Sequence, residues 1–117
     1  MVRGVSNSQA ITVSAMALGV CLVMLPAHAA DEGRAVTYGR HLAQQCTACH
    51  RIDGVSQGGI PAIVGWPVEQ FTAVLESFKR GERTNAAMVS IAQSLSDDEI
   101  AALAAYFGAL KPATRKK

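Results

Sequence analysis

Two cysteines and a histidine packed into five residues, Cys46-Thr47-Ala48-Cys49-His50, constrain this chain more than any other feature. A C-x-x-C-H run is the attachment signature of a c-type haem. Two thiols with two residues between them reach the two vinyl groups on one edge of a porphyrin from a single helical turn. The next residue, His50, then carries an imidazole nitrogen beneath the ring, at the proximal position of the iron. Three side chains dock one cofactor, and the rest of the chain has to wrap it.

Other readings of C-x-x-C are a redox dithiol, a zinc half-site and a disulfide. A dithiol of the thioredoxin type sits in a βαβ pattern, and no strand-like alternation surrounds this run. Zinc needs four ligands. Beyond residue 29 the chain offers only Cys46, Cys49, His50 and His41, and His41 lies too near in sequence to complete a tetrahedron easily.

The N-terminus has the three parts of a secretory signal. Arg3 stands in a short polar start, an apolar run covers Ala10 to Leu25, and Pro26 precedes Ala27-His28-Ala29, an A-x-A cleavage site. Thr12 and Ser14 interrupt the apolar run, which is short for a retained membrane anchor. Val20 stands where a small residue would precede a lipidated cysteine, which argues against lipidation at Cys21. The expected organisation is a signal peptide over 1–29, a single domain over 30–111 and a basic tail over 112–117. Cleavage after Ala29 leaves 88 residues and removes Cys21, His28 and three of the four methionines. Both remaining cysteines then belong to the haem run, so no disulfide within the chain is available once haem is attached. Covalent attachment of this type is completed outside the bacterial cytoplasm, so the expected compartment is the periplasm.

Eighty-eight residues form a small core, and a buried porphyrin supplies much of what is missing. Four of the ten positive charges after residue 29 lie at the C-terminus, Lys111, Arg115, Lys116 and Lys117. The body before them is therefore acidic on balance, which gives no reason to expect nucleic acid as a partner. The tail itself reads as a solvated terminus.

Apolar spacing predicts four helices and no strands. The first runs from about Ala35 into the haem run, with Gly39, Leu42, Ala43 and Cys46 on one stripe. The second begins near Pro67 and reaches about Arg80, with Phe71, Val74, Leu75 and Phe78 inward and Gly81 as its stop. The third covers about Asn85 to Ser94 and aligns Met88, Ile91, Ala92 and Leu95. The fourth opens on the capping box Ser96-Asp97-Asp98-Glu99 and turns Ile100, Leu103, Ala104, Phe107 and Leu110 to the core. Between the haem run and Pro67 lies a loop containing Gly54, Gly58, Gly59, Pro61 and Gly65, a composition that can run close over a flat ring.

What fills the far side of the iron decides between electron transfer and small-molecule chemistry. Beyond residue 29 the chain holds one methionine, Met88, after an intervening helix that gives room to pass the ring edge and return over its distal face. His41 precedes Cys46 on the same helix, so it is anchored on the attachment side and reads as a surface histidine. His50 and Met88 together close the coordination sphere, and the soft thioether favours ferrous iron. Such a centre passes electrons. An open iron would instead make a haem enzyme or gas sensor.

These pieces resemble the small class I cytochromes c of bacterial periplasms over Gly39 to Leu110. The resemblance rests on Cys46-x-x-Cys49-His50, Asp53-Gly54, Pro61-Ala62-Ile63-x-Gly65, Phe78-Lys79-x-Gly81-x-Arg83, Met88-x-x-Ile91-Ala92, Leu95-Ser96-Asp97 and Ala105-Tyr106-Phe107. It implies an all-α class I cytochrome c fold, about four short helices around one haem c bound through Cys46 and Cys49. It also implies Met88 as distal ligand, a Pro61 carbonyl accepting the ring N–H of His50, and a crossing of the first and last helices at Gly39 and Tyr106 or Phe107. Phe78 to Arg83 and on to Met88 is similar, more narrowly, to the haem subunit of flavocytochrome c sulfide dehydrogenases and to single-haem halves of di-haem carriers. That setting implies redox protein partners: a flavoprotein or other dehydrogenase subunit as donor, and a terminal oxidase or soluble acceptor. Arg51 and Trp66 depart from the family pattern. Arg51 either crowds the loop or offers a charge near the ring edge, and Trp66 either packs beside Pro67 or donates its indole N–H to a propionate.

Overall fold

The structure, a computed structural model, describes residues 27–113. The apolar run from Ala10 to Leu25 and the tail residues Arg115, Lys116 and Lys117 lie outside the described residues. Five helices follow in order: α1 over Ala27–Leu42, α2 over Gln44–Thr47, α3 over Val68–Lys79, α4 over Ala86–Ser94 and α5 over Asp97–Ala109. Among the described residues the only β pairing is an isolated bridge between Gln57 and Ile60. No helix there is long and apolar enough to cross a membrane.

The first predicted helix differs from the expectation at both ends. It starts at Ala27 rather than near Ala35, and it breaks at Ala43 into α1 and the single turn α2. The alanine-rich start has high helix propensity and needs no core to support it. At the break, Cys46 N–H donates to the Ala43 carbonyl at 3.0 Å, a tightened turn, while His50 N–H reaches the Cys46 carbonyl at 2.8 Å. The haem run is thus wound as one compact turn.

Each later helix carries its own punctuation. Pro67 is the residue before the first turn of α3 rather than within it, with an extended ψ of 138°. The helix closes at Gly81, where φ is +73°. Gly81 N–H donates to the Phe78 carbonyl at 3.0 Å and Glu82 N–H to the Ser77 carbonyl at 2.9 Å, the paired bonds of a Schellman motif. A side chain disfavours that backbone, so glycine sits there for a conformational reason. Asn85 caps α4 by accepting from Met88 N–H at 3.1 Å. Ser96 and Glu99 close the predicted capping box on α5, at 3.2 and 2.8 Å.

The core is assembled on α5. Ile100, Leu103 and Phe107 are fully buried, each adding about 1.5–3 kcal/mol of apolar burial. Phe107 stacks on Phe71 of α3 with ring centroids 5.5 Å apart. α1 crosses α5 at Gly39, where a Cβ would lie 2.0 Å from the Ala102 carbonyl oxygen and 2.8 Å from the Tyr106 Cβ. Only a residue without a side chain lets the two backbones approach so closely. Ile63 and Val64, in the glycine-rich loop, join this core. Gly65 N–H ties the same loop to α5 through the Phe107 carbonyl at 2.8 Å. Lys79 joins α3 to the α4–α5 corner, donating to the Leu95 carbonyl and the Asp97 carboxylate, both at 2.8 Å. Ala113 N–H donates to the Asp53 carbonyl at 3.1 Å, so the start of the basic tail is laid back onto the loop.

Candidate functional site

The helices α2, α3 and α4 and the glycine-rich loop enclose a cavity of about 680 Å³. That volume falls within the ~300–1,000 Å³ of small-molecule and cofactor sites. Cys46, Cys49, His50 and Met88, the four residues singled out from sequence, all line it. His41 does not; it is exposed on α1.

His50 is the one buried polar residue among the described residues, 8% exposed. Its Nδ1 lies 2.8 Å from the Pro61 carbonyl oxygen. A carbonyl can only accept, so Nδ1 carries the proton and Nε2 keeps its lone pair free to bind a metal. The loop that holds Pro61 is itself pinned, with Ala62 N–H donating to the Ser56 hydroxyl at 2.9 Å. Arg51 stitches the start of that loop through Asp53, which accepts from Arg51 Nε at 3.1 and 3.0 Å, and through Gln57 at 3.2 Å. Its charge is spent within the loop. The Arg51 guanidinium and the Val55 N–H hold the Asp53 carboxyl down at about 2.

Neither Cys46, half-buried, nor Cys49, exposed, is tied up in a disulfide among the described residues. Burial pushes the Cys46 thiol up to about 11, which keeps it neutral. No cluster of three or more His, Cys, Asp or Glu side chains among the described residues could hold a metal ion, which leaves zinc without a ligand set. The donor set that is present suits a different group: one imidazole with a free nitrogen, one thioether, and two thiols at the edge of an apolar slot. A porphyrin with an iron at its centre matches those donors in type and number.

The apolar walls come from stripes that sequence periodicity had assigned simply to the core. Val74 and Phe78 on α3, and Met88 and Ile91 on α4, are only partly buried and line the cavity. Trp66 packs against the core and lines the cavity as well. Arg83 and Asn85 also line it and went unrecognised as wall residues. Asn85 had a readable signal, since an asparagine three residues before Met88 at a helix start caps that residue's N–H.

A family model described as "Cytochrome C oxidase, cbb3-type, subunit III" matches residues 29–107. The cytochrome subunit of sulfide dehydrogenase from Chlorobaculum tepidum is 39% identical over 72 residues, which are 62% of this chain and 66% of that protein. A thiosulfate dehydrogenase electron acceptor from Thiomonas intermedia is 38% identical over 72 residues, 60% of this chain and 33% of that protein. Cytochrome c-553 from Desulfomicrobium norvegicum is 32% identical over 69 residues, 56% of this chain and 86% of that protein. The chain thus spans less than two thirds of the length of the first two relatives and most of the third.

Proposed function

The chain belongs to this cytochrome c family, and on that premise we propose that it is a mono-haem electron carrier, with one haem c joined to Cys46 and Cys49 and its iron held between His50 and Met88. The observation that carries the reading is that His50, oriented by Pro61, and Met88 line one apolar cavity together with both thiols. Bound there, haem iron supplies one-electron oxidation and reduction. Pro61 fixes the imidazole tautomer and strengthens it as a ligand. Asn85 orders the first turn of α4, which bears Met88. Phe71, Leu75 and Ile63 keep water from the far wall. If His50 and Met88 both bound the iron, the protein itself would supply its ligands and would leave no position for oxygen, peroxide or substrate.

Two tests address this directly. Mass spectrometry of the exported protein should give the chain plus one haem, retained after acid extraction. The ferric spectrum should show the far-red band of a thioether bound to low-spin iron. A five-coordinate high-spin signal in the native protein would instead indicate an open iron and a haem enzyme or gas sensor.

A second reading places the chain as the electron-accepting subunit of a periplasmic sulfur-compound dehydrogenase. It is favoured by the two relatives whose names describe a sulfide dehydrogenase subunit and a thiosulfate dehydrogenase electron acceptor. Co-purification with a flavin- or molybdenum-containing partner would support it over a free carrier. Export to the periplasm, with cleavage after Ala29, is supported by the A-x-A motif and by a family match that begins at residue 29. N-terminal sequencing of the mature protein tests it. The organisation proposed with it is a signal over 1–29, the cytochrome domain over 30–111 and a basic tail over 112–117.

A further inference from the structure

Beyond α5 the chain becomes extended at Leu110, with ψ of 145°, and runs back over the glycine-rich loop. Pro112 there sits against two glycines, one at each end of that loop. A Cβ on Gly54 would lie 2.9 Å from the Pro112 Cβ, and a Cβ on Gly65 would lie 3.1 Å from its Cδ. Hydrogen bonds on either side fix this crossing. Ala113 N–H donates to the carbonyl of Asp53, the neighbour of Gly54, at 3.1 Å, and Gly65 N–H donates to the Phe107 carbonyl of α5 at 2.8 Å. Asp53 is in turn held by Arg51, the residue after His50. The two ends of the loop over 54–65 are thus brought together under one proline ring. Between them lies Pro61, whose carbonyl accepts the Nδ1–H of His50.

A glycine-rich loop keeps one shape only where something offsets the entropy of ordering it. Ile63 and Val64 anchor the far side of this loop in the core, whereas Val55 to Gly59 are exposed. For that near side, closure against Pro112 stands in for burial. We propose that Pro112 is a positioning residue for the axial histidine: by closing the loop at Gly54 and Gly65 it holds the Pro61 carbonyl on His50, and so maintains the tautomer and orientation of the imidazole. Proline suits the task, because its fixed φ leaves little backbone freedom to lose and its ring lays a flat apolar face on two residues without side chains. Pro112 is an exposed residue and lies off the cavity, so its effect reaches the site only through the loop. The inference rests on the haem reading above.

The test uses the full chain exported with its haem, in three forms: wild type, Pro112→Gly and Lys111→Gly. Covalent haem content is measured first. Solvent exchange of the His50 Nδ1–H and of the Leu103 backbone N–H, fully buried in α5, is then followed by NMR in the diamagnetic ferrous state. Pro112→Gly should speed exchange at His50 about tenfold, the sign of a local opening, while Leu103 keeps its wild-type rate. Lys111→Gly, which adds backbone freedom to the same strap but removes no contact with either glycine, should leave both rates near wild type. A chain without covalent haem overturns the haem reading, and this inference with it. In the haem-loaded protein, unchanged exchange at His50 in Pro112→Gly, equal acceleration at His50 and Leu103, or an equal effect of Lys111→Gly overturns the role of Pro112 alone.

Discussion

The Nδ1 atom of His50 sits 2.8 Å from the carbonyl oxygen of Pro61, 11 residues further along the chain. This contact links the turn that carries both thiols to the loop opposite, across the edge of the cavity. It settles which ring nitrogen bears the proton, because Pro61 offers only an acceptor there. The consequences of that arrangement can be measured on the far side of the cavity and on the frame that supports it.

Replacing Met88 by alanine should remove the far-red ferric band and produce a high-spin spectrum, and the ferrous protein should then bind carbon monoxide without pretreatment. The helices should persist. The loss of packing from a half-buried methionine is about 2 kcal/mol, the low end of such truncations, and denaturant titration of the haem-loaded variant reads it.

The Cys46→Ala, Cys49→Ala double variant should lose most of its helical dichroism. The chain folds around a cavity of about 680 Å³, and Val74, Phe78, Met88 and Ile91 on its walls are only partly buried by the protein itself. A small domain with that much unfilled interior has little else to hold it together. Far-UV circular dichroism of the haem-free chain, with helical content near that of the wild type, would count against this.

Gly39→Ala should destabilise the protein by about 3 kcal/mol, the upper end for overpacked sites. The obstruction is a backbone carbonyl, that of Ala102, 2.0 Å from the added carbon, and a helix backbone cannot step aside as a side chain can. Thermal unfolding of the haem-loaded protein tests it, with Gly33→Ala as a control, since nothing lies within 4 Å of a Cβ there.

Asp53 makes stability depend on pH in a predictable window. Its folded-state value of about 2 lies below the ordinary 3.8, held there first by the Arg51 side-chain hydrogen bond. A depressed carboxylate stabilises the fold above its unfolded value, and that contribution fades as pH falls from 3.8 towards about 2. Asp53→Asn should therefore be less stable than the wild type near neutrality, with the difference shrinking through that window. Denaturant midpoints for both proteins across the range supply the check.

Much of the site was legible before any coordinates. Cysteine and histidine at C-x-x-C-H spacing, together with a single methionine after residue 29, name the donors, and periodicity located α3, α4 and α5 within a residue or two. Capping chemistry is local, so Ser96, Glu99 and Gly81 could be read directly. The start of α1 at Ala27 was missed because propensity alone, with no apolar stripe, supports it. Periodicity also could not separate core from cofactor wall. Phe71, Leu75 and Leu95 line the cavity and are buried, whereas Val74, Phe78, Met88 and Ile91, with the same helical spacing, line it only partly buried.

The sequence by itself determined which atoms could bind the cofactor, since donor identity and short-range spacing are properties of residues and single turns. Tertiary structure decided what surrounds them. The Gly39 crossing, the return of the loop to Pro61 and the strap that lays Pro112 across Gly54 and Gly65 all depend on segments distant in the chain meeting in space. A residue that closes a loop from outside it becomes visible only once both have been assembled.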